Sequence, residues 1–285
     1  MKRLILVVLF AFACGAVPAQ AQTLSLGYHS GDTFKYSFQS TTKQTLATSG
    51  MTVPADIEMS ATETVKVKSV DSSGTADLAI TLGNYNVTSA TAGVTSTTTG
   101  IPDTTLDVTV AADGRVLSMD RHQFASADPF LVFSGLGGGF FVSAVLPSSA
   151  VRPGDTWSKS YDQANPGGTG TVHMTSQSKY LRNESIQGVN AAVVETTSIG
   201  SMDMTLGAPA TGAAASAPGG LSIKGTVTSD VTTWIDPSTH RLLKTHSTET
   251  NNGTLNMGAS ASSGLPGFSG PITIKGSGTS DLTSA

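Results

Sequence analysis

The chain has 285 residues, a formal net charge of −4, 38% hydrophobic and 6% aromatic residues, 31 glycines and one cysteine. Only 13% of it is charged, the balance is mildly acidic and no basic stripe is visible, so it lacks the electrostatic footprint of a nucleic-acid binder. A chain of this length can bury a proper core. Its Ser/Thr- and Gly-rich, aromatic-poor composition suits thin layers with one wet face better than a helical bundle.

The N-terminus has the organisation of a secretory signal. Lys2-Arg3 is the charged start, Leu4 to Val17 the apolar stretch, and Ala19-Gln20-Ala21 a small-x-small site. Cleavage is expected before Gln22, which makes residues 1–21 a signal peptide. The single cysteine, Cys14, is then lost with it. The alternative is Cys14 as a lipidated first residue, although Ala11 stands where such signals usually carry Leu. The expected location is the periplasm or the medium around a bacterial cell, with anchoring through Cys14 the lesser route.

Residues 33–48 alternate. Phe34, Tyr36 and Phe38 share one face, and Lys35, Ser37 and Gln39 the other, which is the period of a half-buried strand. Ile57, Met59, Ala61, Val65 and Val67 continue the pattern. Asp71-Ser72-Ser73-Gly74 reads as a turn, and Ala76, Leu78, Ile80 and Leu82 as the returning strand. Leu106, Val108 and Val110 alternate again, and Asp113-Gly114 is a short hairpin turn into Val116-Leu117.

Residues 128–146 break the rhythm with an apolar run that has no charge after Asp128. Asp128-Pro129 suits a helix start, and Gly137-Gly138-Gly139 should break or kink that helix. The run fits a buried helix plugging a sheet. Its alternatives are an exposed apolar flap for a ligand or lipid, and a short membrane span with Gly135 and Gly139 at helix-pairing spacing. Alternation resumes at 155–163, 170–181 and 189–199. Residues 207–220 read as a flexible Ala/Gly/Pro loop, and 258–270 as a Gly/Ser loop. Asp236-Pro237-Ser238-Thr239 reads as a turn, with 241–248 returning from it.

The chain also repeats itself. Ile223 to Thr232 returns as Ile274 to Thr283 with seven of ten positions identical, and both copies alternate. A weaker match pairs Gly31-Asp32-Thr33-Phe34 and Phe38 with Gly154-Asp155-Thr156-Trp157 and Tyr161. The predicted fold is all-β: a large curved antiparallel sheet or open half-barrel from two related halves. One half is 22–127 and the other 147–285, with a short helical connector at 128–146 between them. A sheet with one wet face argues for antiparallel pairing. Gly225 and Gly276, in mid-strand, would permit its curvature.

Catalytic patterns are scarce. Ser40-Thr41-Thr42-Lys43 and Ser176-Gln177-Ser178-Lys179 fit Ser-x-x-Lys, but that spacing needs a helix to bring lysine to serine, and both lie in strand-like sequence. No Gly-x-Ser-x-Gly elbow occurs. The histidines His29, His122, His173, His240 and His246 show no metal-ligand spacing. Asp32, Asp155 and Asp236 sit where Asp caps its own backbone. Glu195 follows Val193-Val194, and the period places it on the face of Val193. It reads either as a structural residue or as an inward carboxylate with a ligand or an Arg partner. No catalytic residue, metal site or cofactor is assigned. The ligand-lining candidates are Phe34, Phe38, Phe140, Phe141, Trp157 and Tyr161, for which ordinary core packing is the competing role.

Pro153-Gly154-Asp155-Thr156-Trp157 is followed by the stretch Gly188-Val189-Asn190-Ala191-Ala192-Val193-Val194-Glu195. Asp236 with Arg241-Leu242-Leu243 forms a closing hairpin. These residues, between about 145 and 250, resemble a loose group of secreted bacterial proteins of uncharacterised role. The resemblance implies export and a β-rich fold and brings no active site. A more distant similarity is to the curved half-barrels of LolA-type lipoprotein carriers. The function expected is an exported, non-enzymatic binding protein of the bacterial envelope that holds an apolar ligand or lipid. The alternatives are a structural or adhesive surface protein and, less favoured, a hydrolase.

Overall fold

The computed structural model describes residues 20–48, 50–91, 93–101, 103–120, 143–164, 168–206, 221–256 and 271–285. Period-two alternation becomes twelve strands: β1 (Thr33–Thr48), β2 (Met51–Val70), β3 (Ala76–Thr91), β4 (Val94–Ile101), β5 (Thr104–Val110), β6 (Val116–Asp120), β7 (Thr156–Ala164), β8 (Gly168–Ile186), β9 (Val189–Leu206), β10 (Leu221–Asp236), β11 (Arg241–Asn256) and β12 (Ile272–Ser284). They form one open antiparallel sheet in the order β6-β5-β3-β2-β1-β12-β11-β10-β9-β8-β7. The fold class is therefore the all-β antiparallel sheet that the alternation predicts, and no helix occurs among the described residues.

The chain meanders from β7 to β12 and again from β1 to β6, and the two meanders join where β12 pairs with β1. β3 serves two partners. Residues 76–82 pair with β5, and 85–91 with β4. Asn84, at φ 51°, and a register shift against β2 that places the extra residue on β3 separate the two stretches. β10 and β12, which carry the strong repeat, flank β11, with Ile223 opposite Leu255 and Ile274 opposite Gly253. Their faces divide as the alternation requires: Ile223 is buried, while Lys224 is exposed and pairs with Asp203 at 2.9 Å.

The two Gly-Asp turns match closely. Gly31 N–H donates to Val67 O and Asp32 Oδ2 accepts from His29 N–H. Gly154 N–H donates to Tyr180 O and Asp155 Oδ2 accepts from Arg152 N–H. Both glycines have φ near +95°, a region closed to most side chains (93° and 99°).

A single sheet has no second layer to cover its apolar face, and two internal segments help to cover it here. The first is 22–28, bridged to Val151 through Gln22, with Leu24 and Leu26 in the core. Leu26 N–H donates to Ala112 O and Gly27 N–H to His240 O, so this segment ties together the β5–β6 and β10–β11 turns. The second is 143–151. The helical connector expected at 128–146 falls mostly on 121–142, outside the described residues; its described end, 143–146, is not helical. Ala144, Val145 and Leu146 lie buried against the sheet. Buried peptide groups need partners, and sheet side chains supply them. Ala144 N–H donates to Thr233 Oγ1 at 2.7 Å and Val145 N–H to Thr196 Oγ1 at 3.0 Å. Val145 O accepts from Trp157 Nε1 and Ser178 Oγ, and Leu146 N–H donates to Asp113 O. Gly114 lies beneath this strap at φ 87°, and a Cβ there would stand 2.8 Å from Ala144 O.

The sheet curls until its edges meet at one end. Asp113, in the β5–β6 turn, pairs with Lys159 of β7 and with Arg115 at 2.8 Å, and the Arg115 guanidinium lies 5.2 Å from the centre of the Tyr161 ring. The core within the curl draws on both halves: Phe38, Val65, Leu78, Ile80 and Leu106 from one, Tyr180, Val194, Ile235 and Leu242 from the other.

The strap's bonding makes Thr196→Val a clean test of this packing. The shape is kept, but Val145 N–H loses its acceptor and Ser178 its hydroxyl partner (2.7 Å). Chemical denaturation should show a loss of about 1–3 kcal/mol. An unchanged midpoint would mean that the strap is not held through these bonds.

Candidate functional site

Register places a three-by-three grid on the concave face of β1, β12 and β11. Its rows are Ser40–Ser280–Ser247, Thr42–Gly278–Glu249 and Gln44–Gly276–Asn251. Alternation puts all nine on the buried side, yet none is an ordinary core residue. Apolar rows flank the grid: Phe38 and Leu282 toward the strap, and Leu46, Ile274, Ile272, Leu255 and Ile223 toward the other end, all buried.

Other hydroxyls of this face, inside and outside the grid, find partners. Ser247 and Ser280 pair at 2.6 Å, and Ser176 Oγ donates to Lys159 O. Ser40 Oγ, Gln44 Oε1 and Asn251 Oδ1 are closed off from solvent and have no hydrogen-bond partner. The glycines of β12 allow this arrangement. A Cβ built on Gly276 would stand 2.8 Å from Asn251 Oδ1 and 3.1 Å from Gln44 Cγ, so the Asn251 amide and the stem of Gln44 close over bare backbone from opposite sides. Beside them, burial raises the Glu249 carboxyl to about 8, opposed by a hydrogen bond from Asn251. Gly225 and Gly253 face each other farther along, and a Cβ at Gly225 would fall 2.3 Å from Asn252 O.

A second unpartnered group is deeper. Glu63 of β2 is fully buried within the apolar core, across from Tyr36 on β1 and Leu82 on β3, and neither carboxyl oxygen has a partner. Burial raises it to about 8, so it is mostly protonated at neutral pH.

The predicted lining residues fall as follows. Phe38 is fully buried in the core; Phe34 is partly buried, with Tyr28 at 6.3 Å and the Arg241 guanidinium 5.0 Å from its ring centre. Trp157 holds the strap through its indole N–H, and Tyr161 lies under Arg115. Phe140 and Phe141 lie outside the described residues. The first three belong to, or pack on, one core, and Tyr161 belongs to the clasp between the edges. Asp32, Asp155 and Asp236 each accept a backbone N–H, as turn residues should. The inward reading of Glu195 is corrected: it is exposed, between Lys179 of β8 and Thr232 of β10.

Ser160, His173 and Asp162 are connected in the order of a hydrolase triad: Ser160 Oγ to His173 Nε2 at 3.2 Å, and His173 Nδ1 to Asp162 Oδ1 at 2.7 Å. They are neighbours across β7 and β8 on the outer face, and the Asp162 side chain is 67% exposed. A triad depends on a buried carboxylate and positioned oxyanion donors. This set has the contacts of a solvated cross-strand cluster. An open trough of about 600 Å³ between 146–151 and 154–159 stops at Lys159, before Ser160. Among the described residues, no group of three His, Cys, Asp or Glu is arranged to hold a metal ion.

No family model and no curated protein matches the chain. A solved structure concerned with lipid–protein interactions in lipovitellin aligns with a TM-score of 0.46 and 9% identity over 90% of this chain. The chain spans 25% of the length of that protein. A likeness of this size carries no argument about function.

Glu63 produces a distinct pH dependence. Its folded value lies above the unfolded one, so the stability linked to its proton is intact below about pH 4.5 and is lost as pH rises toward 8. Glu63→Gln should remove up to about 1.4 kcal/mol per pH unit of that decline and leave stability at pH 4 nearly unchanged. Parallel pH profiles for the two proteins would show that the carboxyl is not buried and neutral.

Proposed function

We propose that this chain is an exported, non-enzymatic binding protein of the bacterial envelope that holds an apolar ligand or lipid on the concave face of its sheet. One observation carries the reading. Buried polar atoms without partners stand in the same concave surface as a run of aliphatic side chains: Ser40, Gln44 and Asn251 beside Leu46, Ile274, Ile272 and Leu255. An orphaned buried polar atom destabilises a fold by about 1–3 kcal/mol, and a surface built only for packing would bear aliphatic groups at those positions. Ligand sites have the opposite character: mostly apolar walls with a few converging polar groups.

Export rests on the sequence of the first 21 residues. N-terminal sequencing of protein recovered from the periplasm or medium should read from Gln22. Protein retained in the cytoplasm with an intact Met1 would overturn export.

For ligand binding, solvent extraction of protein purified from its native envelope should release a stoichiometric amphiphile, detectable by mass spectrometry. An uncharged fluorescent probe of apolar sites should bind at about micromolar concentration. Leu46→Asn should weaken the probe about tenfold while the fold is kept. An empty extract together with no probe binding sinks this reading.

A further inference from the structure

The grid defines the ligand's polar end, an inference that rests on the apolar-ligand reading above. The orphaned atoms of the two amides, Gln44 Oε1 and Asn251 Oδ1, are acceptors only. Both stand closed off from solvent with no donor of the chain reaching them. The Ser40 hydroxyl can act either way. Of the basic residues on these strands, Lys43 and Lys275 lie beside the grid and are exposed on the outer face, while Lys35, Arg241 and Lys244 lie beyond it toward the β10–β11 turn, with Arg241 over Phe34 and Lys244 over Trp234. Apolar rows run from both sides of the grid, the longer through Leu46, Ile274, Ile272 and Leu255.

We infer that the concave face takes a single-chain amphiphile with an uncharged head rich in hydrogen-bond donors, such as a glycerol or sugar hydroxyl group. The head sits against Gln44 and Asn251, and the chain lies along the Leu46–Leu255 side. Head hydroxyls supply the protons that the two amide oxygens lack. A carboxylate or phosphate head brings more acceptors to two oxygens that already lack donors, and the lysines beside the grid, Lys43 and Lys275, are on the outer face and do not offset its charge. A cationic head would carry a full charge in among buried aliphatic side chains, which is costly for an ammonium.

The inference makes the grid destabilising without ligand and favourable with it, which separates binding from packing. Calorimetric titration of the full exported chain at pH 7 would use four probes with one chain length: 1-monolauroylglycerol, laurate, methyl laurate and dodecylammonium, each below its micellar concentration. Monolauroylglycerol should bind about tenfold or more tighter than the other three, since a site made for hydrogen-bonding discriminates against ligands that leave it unpaired. Replacing both amides (Gln44→Leu with Asn251→Leu) should remove that advantage, leave methyl laurate within about twofold, and raise the thermal midpoint of the free protein. If the double variant does not fold, Gln44→Met alone should show the same directions at smaller size. Equal affinities for the four probes, or preference for laurate or dodecylammonium, would overturn the inference while leaving the apolar-ligand reading standing. Binding of none of the four overturns both.

Discussion

One constraint governs this molecule: a single antiparallel sheet must hide one face without a second layer. Curling brings the two halves of that face together, and the Asp113–Lys159 clasp holds the sheet's edges where they meet. Curling alone leaves the interior incomplete, and the segments 22–28 and 143–151 occupy part of it. Peptide groups that enter an apolar interior outside the ladder must be given partners. Thr196, Thr233, Ser178 and Trp157 provide them, which explains polar side chains at positions where alternation alone calls for aliphatic ones.

The polar atoms of the concave face thus fall into two populations. One satisfies the strap or pairs across strands and is structural. The other, Ser40 Oγ, Gln44 Oε1 and Asn251 Oδ1, has no partner within the chain. Fully satisfied polar networks specify a core, and half-satisfied ones weaken it, so the second population stands out in a protein that meets most of its internal demands. Glu63 poses the same question in a drier setting, where neutralisation by a proton replaces a partner.

Much of the sheet was legible because side-chain alternation reports directly on two-faced strands. Ile223 and Lys224, or Phe38 and Gln39, fall on the sides their spacing implies. The turn chemistry of Asp113-Gly114 and of Asp236 was legible for the same local reason. Two things were not. The second partner of β3 depends on a break at Asn84, where a lone Gly-Asn pair inside an alternating run reads equally well as a bulge within one continuous strand. The grid was hidden because Ser, Gln and Asn in a strand read as wet-face residues, and only register across three strands separated in sequence brings Gln44, Gly276 and Asn251 into one row. The exposed Glu195 and the enclosed Glu63 and Glu249 look alike in sequence, because spacing alone does not show which carboxylates the curl encloses.

The position of β12 affects how such a chain comes to be folded. Ile272–Ser284 is the last strand in sequence order, yet it lies in the middle of the sheet, hydrogen-bonded on one side to β11 and on the other to β1. The two meanders share no ladder until it arrives. A polypeptide growing or threading from its N-terminus can form each half early, but the seam between them waits for this strand. Such long-range pairing is slow, so the unjoined halves present open edges during that interval, a period in which a holding chaperone or a membrane channel has time to act.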